Sequence, residues 1–496
     1  MLNFFKYFIY FLILLSIVLF YFLFTPLGHQ NIYTFIGNKL SKKAEMFIEV
    51  RAIDVTQYPH VRIVMNIERK AKLTLLGHLD DARIDMDYTL TSNCIATEHC
   101  KIDDDINISG HVQGAFTKLN IIGKGIALDG NVSYSGIKYP DKAKDVHLSM
   151  QDINSRKLLK LLGQTAIIKG KANADLYFKL MDEQHKKGYL NYEVKDENFK
   201  GLPLDLYTKV KFNNEEHTFN STLRSAYLAL DITKGTYNQK SKVTHAFYTV
   251  DIQDLSQLET LLGHKYQGQF YAMGEIAYVR YLKITGLSKS LGGMTEFSFE
   301  KDKLDIQLHD VLLQDIMYLL NIPSLLTATT TGSIDYTLID NKLTVDTKLK
   351  HARFMPSKLA DNIKKKSDVN LLKEEFNHST LQLTYQNSTI LGELKLANAH
   401  SHAYLTHTKI NTNKNSINTF FDVKMQRQEF SGKVYGSLDN PKVNLNMQKL
   451  VRYQMDKQVD KMIGKNNRKI MEKMPMGGVA KDMATDMGAS FMKVFF

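Results

Sequence analysis

The sequence predicts a mainly β protein: an N-terminal transmembrane helix, then a long curled antiparallel β-sheet that forms a groove with a few short helices, and amphipathic helices at the C-terminus. Three observations support this fold class. An apolar run of helix length opens the chain, apolar and polar residues alternate through most of the rest, and one short phrase recurs three times. The 496 residues, 44% of them hydrophobic and only 8 of them proline, have the composition of an ordered protein.

The first segment, residues 1–27, is predicted to be a transmembrane signal anchor. Its apolar run, Phe8 to Phe24, reads FIYFLILLSIVLFYFLF and carries no charge. A helix of that length covers about 26 Å, close to the thickness of the hydrocarbon core of a bilayer. No small-residue cleavage site follows, so we expect the segment to stay attached. Basic residues flank it on both sides, and charge therefore discriminates little between the two orientations.

The two cysteines favour an exported body. Cys94 and Cys100 are separated by five residues, a spacing that can close a small loop in an oxidising compartment. They are our disulfide candidate, with two unpaired thiols as the alternative. A structural zinc site needs four ligands and no second pair of cysteines exists, so we predict no metal site.

Residues 28–445 are predicted to form an elongated, repetitive β body. Period-two alternation indicates strands with one apolar and one wet face, and the short connections favour antiparallel hairpins. The few predicted helices cannot cover so much sheet. The apolar faces must cover each other, as in a barrel or sandwich, or line a trough that another molecule covers. The candidate residues of the apolar face are Val146, Leu148, Leu304, Ile306, Ile334, Tyr336, Leu338, Leu343, Val345, Leu381, Leu383, Tyr385, Val443 and Leu445.

The last segment, residues 446–496, is predicted to be a Met-rich amphipathic helical tail. Apolar residues recur near helical spacing between Met447 and Met474, with Lys and Arg opposite them. Such a surface suits contact with lipid or with a protein partner, and a cap on the last strand is the alternative.

Composition and motifs argue against two other classes of function. The net charge of +12 is dispersed along the chain, and no basic block is interleaved with aromatic residues, so we expect no nucleic-acid partner. There is no Gly-x-Ser-x-Gly elbow, no Walker-type phosphate loop and no His-Glu-x-x-His sequence. We therefore expect neither enzymatic activity nor a cofactor.

The recurring phrase reads QDINSRKLLKLLG at 151–163, QDLSQLETLLG at 253–263 and HDVLLQDIMYLLN at 309–321. In each copy a strand-like run ends at an aspartate, namely Asp152, Asp254 or Asp310, a short helical turn follows, and another strand-like run begins. Reuse of one phrase at unequal spacing indicates a modular β architecture rather than one enzymatic core.

These copies resemble the recurring phrase of the AsmA/TamB-like family, in which a glycine opens the next alternating strand. The corresponding glycines here are Gly170, Gly274 and Gly332. The segment from Gly432 to Leu445, a glycine-bearing strand followed by a proline and a final alternating strand, is similar to the family's late signature. Residues 50–145 carry no recognisable copy of the phrase.

The resemblance implies a single-pass inner-membrane protein with the bulk of the chain in the periplasm. It further implies that a hydrophobic β-groove binds phospholipid and supports its transport to the outer membrane and the integrity of the envelope. The candidate apolar residues would then contact lipid, since burial of each acyl CH₂ is worth about 0.8 kcal/mol. The alternative is an anchored β scaffold that binds proteins in outer-membrane assembly without conducting lipid.

Overall fold

The computed structural model describes residues 26–446 apart from short gaps at 45–46, 69, 81, 97–100, 164, 166–168, 183, 323, 325, 357–360, 362–363, 365–368, 427 and 439–440. The predicted transmembrane run, Phe8 to Phe24, and the predicted helical tail beyond Asn446 lie outside these residues. Among the helices of residues 26–446, none has both the length and the apolarity needed to cross a membrane. The predictions of a mainly β, antiparallel chain with few short helices are confirmed.

The chain divides into two compact units, residues 1–246 and 247–496. In the first unit each strand from β1 to β13 pairs antiparallel with the next one in sequence. These strands are β1 (Ile48–Gln57), β2 (His60–Ile67), β3 (Ala71–Leu79), β4 (Arg83–Ala96), β5 (Lys101–Ala115), β6 (Lys118–Ala127), β7 (Gly130–Lys138), β8 (Ala143–Asn154), β9 (Lys171–Met181), β10 (Lys186–Phe199), β11 (Leu202–Asn213), β12 (Glu216–Arg224) and β13 (Leu228–Asn238).

The boundary between the units falls inside β14 (Val243–Ile252). In the second unit each strand from β15 to β26 again pairs antiparallel with the next. These strands are β15 (Phe270–Tyr278), β16 (Leu282–Ser288), β17 (Met294–Glu300), β18 (Lys303–Leu312), β19 (Leu326–Thr337), β20 (Lys342–Phe354), β21 (Ser379–Gln386), β22 (Thr389–Ala397), β23 (His402–Asn411), β24 (Ser416–Met425), β25 (Gln428–Ser437) and β26 (Pro441–Asn446).

Helix α1 (Pro26–Ala44) was not predicted, because the sequence assigns this stretch to the β body. The helix packs against β1. The Tyr33 hydroxyl donates to the carbonyl oxygen of Ile53 at 3.2 Å. The Ser41 hydroxyl oxygen accepts from the backbone N–H of Ile48 at 2.7 Å. These contacts join α1 to the first strand of the sheet.

The three copies of the recurring phrase do form short helices between strands, as predicted. The first contains α2 (Ser155–Leu161), and the second contains a 3-10 turn (Leu255–Leu258) continued by α3 (Glu259–Leu262). The third contains α4 (Leu313–Leu319).

The role predicted for the aspartates is wrong in two of the three copies. Asp152 and Asp310 do not end their strands but lie inside β8 and β18, where the pairing register shifts. Both adopt the left-handed region, with φ of 55° and 51°, as residues at β-bulges often do. Asp254 alone caps its helix, its carboxylate accepting from the backbone N–H of Ser256 at 3.0 Å. Alternation cannot distinguish a bulge from a strand end, because both interrupt the period of two.

One buried cluster closes an edge of the first unit. Helix α2 inserts Leu158 among residues of strands β5 to β11, and Ile153 is fully buried beside it. Helix α2 contacts β5 and β8 directly, so it covers several neighbouring strands on one face of the sheet. The other members of the cluster are Ile106, Ala127, Leu128, Val132, Tyr134, Leu148, Met150, Ala172, Tyr192, Val194 and Leu206.

A second buried cluster closes the corresponding edge of the second unit. Here the loop between β20 and β21 supplies Val369, Leu371 and Phe376, all at most 4% exposed. They pack with side chains of strands β19 to β25, so the loop covers one face of this sheet along that edge. The strand residues of the cluster are Leu326, Ala328, Leu349, Ala352, Leu396, Met425 and Phe430.

A charged contact fastens helix α2 to the sheet. The Lys157 Nζ atom lies 2.8 Å from Oδ1 of Asp104 and 2.6 Å from Oδ1 of Asp129. The Asp104 side chain is completely buried and also accepts from the backbone N–H of Leu128 at 2.6 Å. The hydrogen bond from Lys157 lowers the pKa of Asp129. Burial alone would lower the pKa of Lys157, but its bonds to the two aspartates outweigh burial and raise it.

Replacing Lys157 by methionine should destabilise the first unit, because the buried Asp104 loses its cation. We expect a loss of about 2–3 kcal/mol in the free energy of unfolding, measured as a lower urea midpoint by circular dichroism. Lys160→Met on the exposed side of the same helix is the matched control and should have little effect. Equal losses in both variants would show that the ion pair does not hold the helix.

Candidate functional site

One face of the sheet in the first unit is apolar along an unbroken row of paired residues. The row crosses twelve strands, from β2 to β13, and consists of aliphatic, aromatic and glycine residues. In order of pairing it is Ile63, Leu75, Tyr88, Gly110, Gly123, Tyr134, Leu148, Leu176, Leu190, Val210, Phe219 and Gly235. We call the face that contains this row, and its counterpart in the second unit, the inner face.

From β3 to β12 the neighbouring row, one residue along each strand, is polar. It consists of Thr74, Thr89, Ser109, Lys124, Ser133, Ser149, Asp175, Asn191, Lys209 and Asn220. Since successive side chains of a strand point to opposite faces, these residues lie on the outer face. The pairing between strands therefore keeps the apolar residues on the inner face and the polar residues on the outer face from one strand to the next.

The second unit has the same arrangement. One inner row crosses β15 to β25 without a charged residue. A second inner row lies two residues away from the first on each strand, on the side of the closed edge. The first row is Ile276, Ile284, Phe299, Leu304, Tyr336, Leu343, Tyr385, Ile390, Ile410, Ile417 and Gly436. The second row is Gly274, Gly286, Phe297, Ile306, Ile334, Val345, Leu383, Gly392 and Thr408.

Most of the predicted apolar residues fall on these inner rows. Eight of them share the two rows of the second unit: Leu304, Tyr336, Leu343, Tyr385, Ile306, Ile334, Val345 and Leu383. Leu381 pairs with Thr347 and Leu394 on the next row towards the closed edge. Val146 and Leu148 lie on the inner face of the first unit, opposite Phe178 and Leu176.

Three predicted residues need separate comment. Leu338 lies in the turn after β19, not in the strand, and its side chain is 48% exposed. Alternation continued past the end of the strand, which is why the sequence placed it on the apolar face. Val443 and Leu445 occupy backbone positions of β26 opposite Val434 and Gly432.

Among the described residues, the inner face is only partly covered. Each buried cluster covers the edge at which even-numbered strands end, through α2 in the first unit and through the β20–β21 loop in the second. Away from that edge, side chains such as Leu304, Ile306, Val345 and Leu383 remain partly exposed. Within the described residues, a set of in-register apolar side chains is thus left partly exposed on the inner face of each unit.

Glycines on the inner face are covered by aromatic rings from neighbouring strands. Tyr88 lies across Gly110 and Gly123, so that a Cβ at Gly123 would be 2.5 Å from the Tyr88 hydroxyl. The same relation joins Phe178 to Gly188, Phe219 to Gly235, Phe297 to Gly286 and Phe421 to Gly432. Rings that lie over glycines give the sheet a flat apolar surface in place of separate projecting side chains.

Two tyrosines meet at the centre of this surface in the first unit. The hydroxyls of Tyr88 and Tyr134 are 2.6 Å apart, and the Tyr88 hydroxyl is also 3.0 Å from the carbonyl oxygen of Ile122. Burial raises the pKa of Tyr88, and the hydrogen bond to Tyr134 adds to the rise. The two polar groups satisfy each other, so the rings can line an apolar surface without an unpaired hydroxyl.

A ladder of rings continues the inner face towards its open edge. The Phe178 and Phe212 ring centroids are 5.1 Å apart, those of Phe212 and His217 are 5.3 Å apart, and those of His217 and Tyr237 are 5.9 Å apart. Such distances are typical of favourable aromatic contacts.

The outer face carries polar contacts and shallow depressions. One depression of about 610 Å³ is bordered by Asp346, Gln382, Glu393 and Lys409. The Gln382 side-chain amide donates to Asp346 at 3.2 Å. Across the part of the chain that the structure describes, no group of three or more His, Cys, Asp or Glu side chains is arranged to hold a metal ion.

Cys94 is buried on β4 and is a free cysteine in the structure. Its predicted partner, Cys100, lies outside the described residues. The disulfide therefore stays a prediction.

Comparison of the chain with protein-family models, with curated protein sequences and with solved structures finds no significant match. The resemblance to the AsmA/TamB-like family consequently rests on the sequence motifs alone.

The contact between Tyr88 and Gly123 can be tested by adding one methyl group. Gly123→Ala should lower the free energy of unfolding by about 1–3 kcal/mol, because its Cβ would overlap both tyrosine rings. The control is Gly136→Ala on the inner face of β7, whose Cβ would lie 3.2 Å from Val146. A urea midpoint for Gly123→Ala as high as that of the control would contradict the packing described.

Proposed function

We propose that the inner face binds the acyl chains of phospholipid, and that the protein thereby supports phospholipid transport towards the outer membrane and the integrity of the envelope. The observation that carries the proposal is the unbroken in-register apolar rows that, among the described residues, remain half-exposed on the inner face of each unit. Soluble proteins seldom leave apolar surface of this extent without a ligand or partner.

Simple energetics favour acyl chains as the missing cover. Moving a chain of about 16 carbons from a bilayer into water costs about 12 kcal/mol, at roughly 0.8 kcal/mol for each CH₂. A continuous apolar surface removes most of that cost. Headgroups can stay in water, since the edge opposite the buried clusters is open.

The flat surface of rings over glycines suits a mobile ligand. Binding here would need no directed hydrogen bond, because Tyr88 and Tyr134 are already paired with each other. Non-directional apolar contact allows a chain to shift along the face without breaking specific bonds. Transport rather than tight storage is the function that this chemistry supports.

The remaining parts of the chain complete the proposal. Residues 1–27 would anchor the protein in the inner membrane with its bulk in the periplasm. The tail, residues 446–496, would contact an outer-membrane protein or lipid. No cofactor and no catalytic step are needed.

A photo-crosslinking residue placed at Leu383 tests lipid contact directly. Leu383 lies on the inner face of β21, and its chain neighbour Gln382 is exposed on the outer face, so the two positions form a matched pair. We expect phospholipid adducts, identified by mass spectrometry after irradiation in cells, at Leu383 and not at Gln382. Protein adducts at Gln382 with no lipid at Leu383 would instead support the scaffold alternative.

A further inference from the structure

The connections opposite the closed edge of the second unit form a distinct surface. Three successive hairpins, β15–β16, β17–β18 and β19–β20, turn at this edge because the strands are antiparallel and paired in order. Their turns comprise residues 278–283, 300–303 and 337–342, which we call the tip cluster. Alternate hairpins of such a sheet are about 10 Å apart, so their side chains can share one surface.

Contacts join the three turns. The Lys301 Nζ atom lies 4.8 Å from the centre of the Tyr281 ring. The Lys283 Nζ atom lies 3.3 Å from Oε2 of Glu300. The backbone N–H of Leu338 donates to the carbonyl oxygen of Asp302 at 2.8 Å.

The tip cluster exposes large apolar side chains. Ile339 is 82% exposed and Val279 is 59% exposed. The others, all at least 40% exposed, are Tyr278, Tyr281, Leu282 and Leu338. A single exposed apolar residue needs no explanation, but six on adjoining turns form a patch of the kind that marks an interaction surface.

Basic residues are interleaved with these apolar residues. The cluster holds five of them, Arg280, Lys283, Lys301, Lys303 and Lys342, against three acidic residues, Glu300, Asp302 and Asp340. Tyrosine, aliphatic side chains and Lys or Arg together are the composition that favours the interface of a bilayer with anionic lipid. Protein interfaces are also enriched in tyrosine and arginine, but the excess of cations over anions in this cluster favours an anionic surface.

We infer that the tip cluster docks on the surface of an anionic lipid bilayer, with Ile339 and Val279 inserted among the headgroups and the basic side chains against the lipid phosphates. Leu304 and Tyr336 of the first inner row lie next to the same edge. Docking would therefore bring the open edge of the inner face to the bilayer. This inference rests on the proposed function, which gives docking its role, but contact of the tip cluster with a bilayer can be tested separately.

A tryptophan probe can test docking cleanly, because the chain contains no tryptophan. The full chain carrying Ile339→Trp is reconstituted in nanodiscs of phosphatidylcholine. It is then mixed with vesicles of phosphatidylethanolamine and 30% phosphatidylglycerol whose acyl chains are brominated, so that only contact with the added vesicles quenches the indole. Leu391→Trp is the matched control, since Leu391 is 52% exposed on the outer face of the same unit.

We expect about a twofold loss of emission for Ile339→Trp and little loss for Leu391→Trp. Replacing Arg280, Lys301 and Lys303 by glutamate in the Ile339→Trp chain should weaken this interaction by about 100-fold. Equal quenching of both probes, or quenching that survives the three replacements, would overturn the inference. Lipid adducts at Leu383 with no quenching at position 339 would refute docking alone. Quenching without such adducts would refute the proposed function alone.

Discussion

The structure depends on the need to cover one apolar face of an antiparallel sheet whose connections supply only short helices. A helix can cover several strands, but here the helices of the recurring phrase are only four to seven residues long. In each unit one edge of the inner face is closed, by α2 in the first unit and by the β20–β21 loop in the second. That closure reaches only one edge. The accessible apolar surface is thus a direct consequence of the short connections.

Close packing imposes its own requirements on the residues of the inner face. The pairs of an aromatic ring and a glycine meet them by letting one strand's ring fill the space above another strand's glycine. The bulges at Asp152 and Asp310 bend β8 and β18 just before α2 and α4, and turn the chain towards the face that it covers. The first copy of the phrase thus helps to close an edge of the sheet through α2, and the surface that we assign to lipid lies on the paired strands.

The sequence predicted the parts of the fold that are local in character. Period-two alternation placed Val345 and Leu383 on one face correctly, because burial of that face fixes the alternation along each strand. The same pattern failed at Leu338, where the strand had ended, and at Asp152, where a bulge looked like an end. Helix α1 was not predicted from the sequence, because its residues form no clear apolar stripe at helical spacing.

The relation between rings and glycines could not be predicted, since it depends on pairing between strands. Gly123 lies opposite both Gly110 and Tyr134 only after three strands have found their registers. The buried contact of Lys157 with Asp104 is equally non-local, as it joins residues 53 positions apart. The most direct measurement is the amount of phospholipid that co-purifies with each chain after mild detergent extraction. We expect less phospholipid with Leu383→Asp than with the wild type or with Gln382→Asp, while equal amounts in all three would contradict binding at the inner face.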